Sequence, residues 1–174
     1  MGREMLICQC LSLLPTEDFD CPLMDYGKKL STKSLLKIFV AAQLDQWSSY
    51  NHMEEKLRAY PKLRKELDIE GISGSQISRR INDLPTEKVQ KLFLKVVEKI
   101  RQLTQGYKGL SKKIGLLNIV DSTEIRLPEN LCDWAYISKG HHVVKMHTRL
   151  VVASKDVAFP DKMVPSLGTV SDFK

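Results

Sequence analysis

Leu116-Leu117-Asn118-Ile119-Val120-Asp121-Ser122-Thr123-Glu124-Ile125 is the stretch at which the chain changes its period. Its residues are apolar and β-branched around a single carboxylate, the composition of a strand. A second strand is expected over Val143–Val152, where Val144, Met146, Thr148, Leu150 and Val152 alternate onto one face. Val143, Lys145, His147, Arg149 and Val151 then share the other face. A third, weaker strand covers about Ala158–Val164 and is expected to stop at Pro165. Between the first two lies an irregular stretch, Pro128–His142, containing Trp134 and Tyr136.

Upstream, the apolar residues recur at helical spacing instead. Ser31 or Thr32 can cap Lys33–Trp47, in which Leu35, Ile38, Phe39, Ala42 and Gln46 fall on one side. A second helix over Ser49–Ala59 carries Met53 and Leu57, and a short Pro61-led helix ends near Leu67. Ser73-Gly74-Ser75-Gln76 matches a capping box, in which the Ser73 hydroxyl accepts the third amide and Gln76 reaches back. The helix it opens, Ser75–Asn82, is short and basic. From Pro85 a longer helix carries Val89, Leu92, Phe93, Val96, Ile100 and Leu103 as an apolar stripe up to Gly106. The expected fold class is therefore α+β. Residues 1–15 form a helix or loose leader, residues 16–107 a helical domain, residues 108–113 a Lys- and Gly-containing linker, and residues 114–174 the strand-rich part.

Composition narrows the function classes. The 174 residues are 43% hydrophobic and 28% charged, too apolar for a disordered chain. No apolar run approaches the roughly 18 residues of a membrane helix, and the Glu4-interrupted opening lacks a cleavage site, so a cytoplasmic protein is expected. Cys8, Cys10, Cys21 and Cys132 show neither the spacing of a zinc site nor the setting of a disulfide framework, and are read as reduced thiols. The net charge is +6, and all of the excess is upstream: residues 1–113 hold 20 Lys and Arg against 14 Asp and Glu, residues 114–174 hold 7 against 7. An excess of that size suits a phosphate-binding surface, because neutralising phosphates releases counterions, and equally a solvated basic surface.

Three groups of side chains could carry chemistry. Tyr60–Leu84 has the layout of a helix-turn-helix, from which Ser75, Gln76, Ser78, Arg79 and Arg80 could meet base edges and phosphates in a major groove. The plainer reading of Arg79-Arg80 is a solvated helix face. Asp121 lies inside an apolar strand, where a carboxylate is unfavourable unless paired, hydrogen-bonded or metal-bound. Nucleases hold divalent metal in this way, while a local turn with Ser122 and Thr123 would serve the carboxylate as well. Lys145, His147 and Arg149 could line a DNA backbone or form the wet face of a half-buried sheet. A zinc-binding or interaction protein is a further class, for which the Cys and His spacing gives little support.

With these residues in view the chain resembles the Asp-Asp-Glu transposases of bacterial insertion sequences, specifically the insertion-sequence-four family. The matching features are Ile119-Val120-Asp121-Ser122-Thr123, Trp134-Ala135, Lys145-Met146-His147-Thr148-Arg149, Pro160 and Gly168-Thr169-Val170-Ser171-Asp172. Upstream, Leu35-Leu36-Lys37-Ile38-Phe39 and Ile72-Ser73-Gly74-Ser75-Gln76-Ile77-Ser78-Arg79 look like the N-terminal helical domain of these enzymes, so that the chain resembles their N-terminal part only. The resemblance runs from about Leu13 onward, and Met1–Cys10 departs from it. It implies a ribonuclease-H-like domain that opens with three antiparallel strands and binds two Mg²⁺ or Mn²⁺ ions. It also implies cut-and-paste transfer of double-stranded DNA between inverted-repeat ends and a target, by a homodimer, with no membrane partner. Asp121 matches the first catalytic Asp, a metal ligand. The second Asp and the Tyr-Arg-Glu-Lys region have no match here, and Asp172 corresponds to a different, upstream position. The expectation is thus a truncated catalytic domain that does not cleave DNA alone or hold metal tightly, with a non-enzymatic DNA-binding module as the second reading.

Overall fold

The computed structural model describes residues 2–17, 19–111, 113–128, 133–138 and 141–170. Two compact units divide the chain, Met1–Val96 and Val97–Lys174.

The first unit contains α1 (Arg3–Ser12), α2 (Pro22–Asp25), α3 (Thr32–Leu44), α4 (Tyr50–Ala59), α5 (Pro61–Glu66), α6 (Gly74–Asn82) and the first part of α7 (Thr86–Leu103). The helix starts follow from local chemistry. Ser31 Oγ accepts the Ser34 amide at 3.0 Å and Ser49 Oγ accepts that of His52 at 3.1 Å, satisfying donors that have no partner within the first turn. Helix α3 ends at Leu44, before the position the periodicity suggested, because Gln46 turns the chain with φ 55° and sends Trp47 into the core.

Leu35, Ile38, Leu57, Leu63, Leu67 and Ile77 form the centre of this core. The opening residues belong to it as well. Ile7 and Leu11 of α1 are buried there, and Glu4 Oε1 accepts the amides of Lys62 (2.7 Å) and Leu63 (3.2 Å) at the start of α5. The leader is therefore a packed helix. Asp45, with its side chain fully buried, ties α1 to the far end of α3 and to α4. It accepts from Trp47 Nε1 at 2.8 Å and pairs with Arg3 (2.9 Å) and Lys56 (3.3 Å). Burial pushes its pKa up, but the hydrogen bonds from Trp47 and Lys56 and the charges of Lys56 and Arg3 outweigh burial and leave it lowered. On the other side of α3, Phe19, Leu36 and Leu92 form a smaller cluster with Leu84 and Val96, which seats the start of the α7 stripe.

The second unit is an antiparallel sheet of β1 (Leu117–Leu127), β2 (Tyr136–Ser138), β3 (His141–Ser154) and β4 (Val157–Leu167). The long strand β3 is central. It pairs with β1 along one edge, from Leu127↔His142 to Leu117↔Val152, and with β4 and the short β2 along the other. The three expected strands are present, and β2 adds a fourth inside the irregular stretch. One expectation fails: β4 does not stop at Pro165 but runs to Leu167, with Pro160 opposite Leu150 and Pro165 opposite Met146. An edge strand tolerates proline where the missing N–H would point away from its neighbour. In the expected linker, residues 108–111 and 113 are held by backbone hydrogen bonds. The Gly109 amide donates to Ala153 O (3.0 Å) and that of Leu110 to Gly115 O (3.0 Å). Gly109 has φ +83°, and a Cβ there would lie 1.6 Å from Gly115 O, so no other residue fits this turn as built.

Candidate nucleic-acid interface

Helix α6 is positioned by its own first turn and by α4. Ser73 and Gln76 form the expected capping box: the Ser73 hydroxyl accepts the Gln76 amide at 3.3 Å, and the Ser73 amide donates to Gln76 Oε1 at 2.9 Å. The Gly74 amide donates to Glu54 Oε2 of α4 at 2.8 Å, so these first-turn donors are already taken. Gly74 also permits the close approach, since a Cβ there would lie 2.9 Å from Tyr50 O and Asn51 Oδ1. Helix α6 rests chiefly on α4, with α5 packed against α1. The expected packing of the short Pro61-led helix against α6 is thus not the main contact of α6, which is with α4.

The five candidate residues on α6 do not share one role. Ser75 and Arg79 are exposed, and Gln76 and Ser78 are half-buried. Arg80 points inward and is 6% exposed. Its Nη2 pairs with Asp25 Oδ1 and reaches Thr32 Oγ1 at 3.2 Å, and its Nε donates to Leu30 O at 3.0 Å. Asp25 Oδ1 also accepts the Thr32 amide (2.9 Å) and hydroxyl (2.8 Å), so the pair closes over the start of α3. As placed, Arg80 cannot read DNA. Gln76 is half committed too, through its capping carbonyl. A groove of about 610 Å³ runs beside α6, lined by Gln76, Arg79 and Asn82 and, from the loop after α2, by Lys28 and Lys29. Nothing local in the sequence places the loop of these two lysines against α6.

In the second unit, Asp121 and the basic strand residues lie on opposite faces. Asp121 is paired with Thr148, on the face of Ile119, Thr123, Met146 and Leu150, whereas Lys145, His147 and Arg149 share the other face with Val120 and Ser122. The Asp121 carboxylate is exposed, and its Oδ1 accepts the Ser122 amide at 2.8 Å. The local hydrogen bond that the sequence allowed is therefore present, and water removes the penalty expected of a buried acid. Around Asp121 the large apolar residues Leu117, Ile119, Ile125 and Met163 are also exposed.

The three basic residues have intramolecular partners. Arg149 donates Nε and Nη2 to the two oxygens of Asp161 at 2.8 and 2.7 Å, His147 Nε2 lies 2.7 Å from Ser166 Oγ, and Lys145 Nζ donates to Val170 O at 3.2 Å. Asp161 occupies a bulge in β4 between the pairs Arg149↔Lys162 and Leu150↔Pro160, and it also accepts from Arg101 of α7 at 2.8 Å. The Arg149 hydrogen bond holds its pKa low against burial, with Arg101 adding to the effect. These contacts favour a structural role for the basic face, and Asp161 is its centre.

The described residues do not by themselves make a divalent-metal site. They contain no group of three His, Cys, Asp or Glu placed to hold an ion, and Asp121 offers one carboxylate with one oxygen turned to the backbone. Cys8, Cys10 and Cys21 are free thiols, while Cys132 and Asp172 lie outside the described residues. No helix among those residues is long and apolar enough to cross a membrane.

No protein-family model matches the chain, and no solved structure matches it. It is 23% identical over 148 residues, 85% of its length, to a protein of Geobacillus stearothermophilus described as the probable transposase for insertion sequence element IS5377. The chain spans about a third (36%) of that relative's length. This similarity makes the chain a distant relative of a probable insertion-sequence transposase.

Proposed function

We propose that the chain is the DNA-binding portion of an insertion-sequence transposase of the Asp-Asp-Glu class, and that its helical unit grips double-stranded DNA at inverted-repeat ends. The observation that carries this reading is the extended similarity to a probable transposase, joined to an α6 whose exposed face carries Ser75, Arg79 and Asn82 beside a lysine-lined groove. Arginine in a major groove can contact guanine bidentately, which would make Arg79 the reading residue. The sheet unit would be the opening of a ribonuclease-H-like domain, with Asp121 the first acidic ligand of a Mg²⁺ or Mn²⁺ site. Such an ion would activate the attacking oxygen in strand transfer. Cut-and-paste transfer by a homodimer on paired ends completes the proposal.

A second reading is DNA binding without cleavage: among the described residues no three His, Cys, Asp or Glu are grouped to hold an ion. Metal-dependent nicking that disappears in Asp121→Ala would remove it. The main reading is tested by fluorescence anisotropy with an inverted-repeat duplex of the encoding element and a scrambled duplex. The wild type should prefer the repeat, and Arg79→Ala should lose about 1–3 kcal/mol of that preference. Equal affinity of the wild type for both duplexes would reject sequence reading by α6.

A further inference from the structure

The loop between α2 and α3 carries Lys28 and Lys29 into the groove beside α6, where they stand with Arg79. Both lysines are exposed, and among the described residues neither takes part in an ion pair. The one carboxylate lining this groove, Asp83, is turned to Arg80 Nη1 at 3.5 Å. Arg80 also lines the groove but is paired with Asp25, and the remaining three cations repel one another and raise the local concentration of anions.

The loop is also held in place from within. The Arg80 guanidinium grips Asp25 on one side of the lysines and the Leu30 carbonyl (3.0 Å) on the other, and also reaches Met24 O at 3.5 Å. The inward arginine thus fixes the outward lysines at one flank of α6. A helix lying in a major groove has a phosphate strand on each side, and contacts to that backbone set register without reading sequence.

We propose that Lys28 and Lys29 are phosphate-binding residues that clamp one backbone strand of double-stranded DNA while α6 occupies the adjoining major groove. This rests on the DNA-binding reading and adds to it the residues that supply register and salt dependence.

The test measures affinity of the full chain for the inverted-repeat and scrambled duplexes between about 50 and 200 mM salt. Each lost phosphate contact lowers the slope of log affinity against log salt by ~0.9, so Lys28→Ala with Lys29→Ala should make it shallower by about 1.8. Across that fourfold salt range the wild type should then lose about 12-fold more affinity than the variant. The loss should be equal on both duplexes, and the melting temperature should stay at the wild-type value. Lys62→Ala with Lys65→Ala, an equal change of charge on α5, should keep the wild-type slope. An unchanged slope in the Lys28/Lys29 variant, or an equal drop in the α5 variant, would overturn the clamp while leaving DNA binding intact. No binding of either duplex by the wild type would instead remove the DNA-binding reading itself.

Discussion

Replacing Arg80 by Ala separates a residue that holds the fold from one that reads DNA, and its effect can be worked from the contacts. The Arg80 side chain is 7% exposed and that of its partner Asp25 16%. Removing one member of a buried pair costs about 3–5 kcal/mol, since the other charge is left uncompensated. Asp25 keeps its two bonds from Thr32 and retains some water, which argues for the lower end, about 3 kcal/mol. For a unit of this size each kcal/mol moves the midpoint by about 4–8 °C, so Arg80→Ala should melt roughly 12–24 °C below the wild type. Arg79→Ala, at an exposed site, should change stability by less than about 0.5 kcal/mol. Circular dichroism melts of both variants supply the comparison. Replacing the pair together, Asp25→Asn with Arg80→Met, should cost less than the sum of the single changes, because neither charge is then left alone. An Arg80→Ala protein that melts within about 2 °C of the wild type but binds DNA more weakly would refute the buried placement. The guanidinium would then face the nucleic acid.

The buried carboxylates and their partners give three further outcomes. The folded-state pKa of Asp45 is lowered, so its contribution is fully present above the unfolded value of about 3.9 and is lost as pH falls through the lower folded value. In acid titrations below about pH 4, Asp45→Asn should lose stability less steeply with pH than the wild type, and parallel curves would show that Asp45 does not gain from its partners. In the sheet unit, Asp161→Asn should destabilise by roughly 1.5–3 kcal/mol through its weakened bonds to Arg149 and Arg101. Arg149→Ala should lower the melting temperature without altering the salt slope of DNA binding. A shallower slope with unchanged stability would return Arg149 to the DNA.

What the sequence disclosed and what it withheld divide along sequence distance. The α6 capping box was legible because Ser73 and Gln76 are three residues apart, and the strands were legible because alternation is a local pattern. The role of Arg80 was not, since its partner Asp25 lies 55 residues away. Adjacent residues on a helix point about 100° apart, so Arg79-Arg80 cannot act as one basic pair, but the sequence does not say which of the two turns inward. The same blindness hid the bulge at Asp161, the packing of α1 and the convergence of Lys28 and Lys29 on α6. Counting charge along a helix therefore misplaces the exposed charge in two ways. It includes arginines that the core consumes, and it omits lysines that a distant loop delivers. Here a single guanidinium does both, withdrawing its own charge from the surface while fixing two others at its edge.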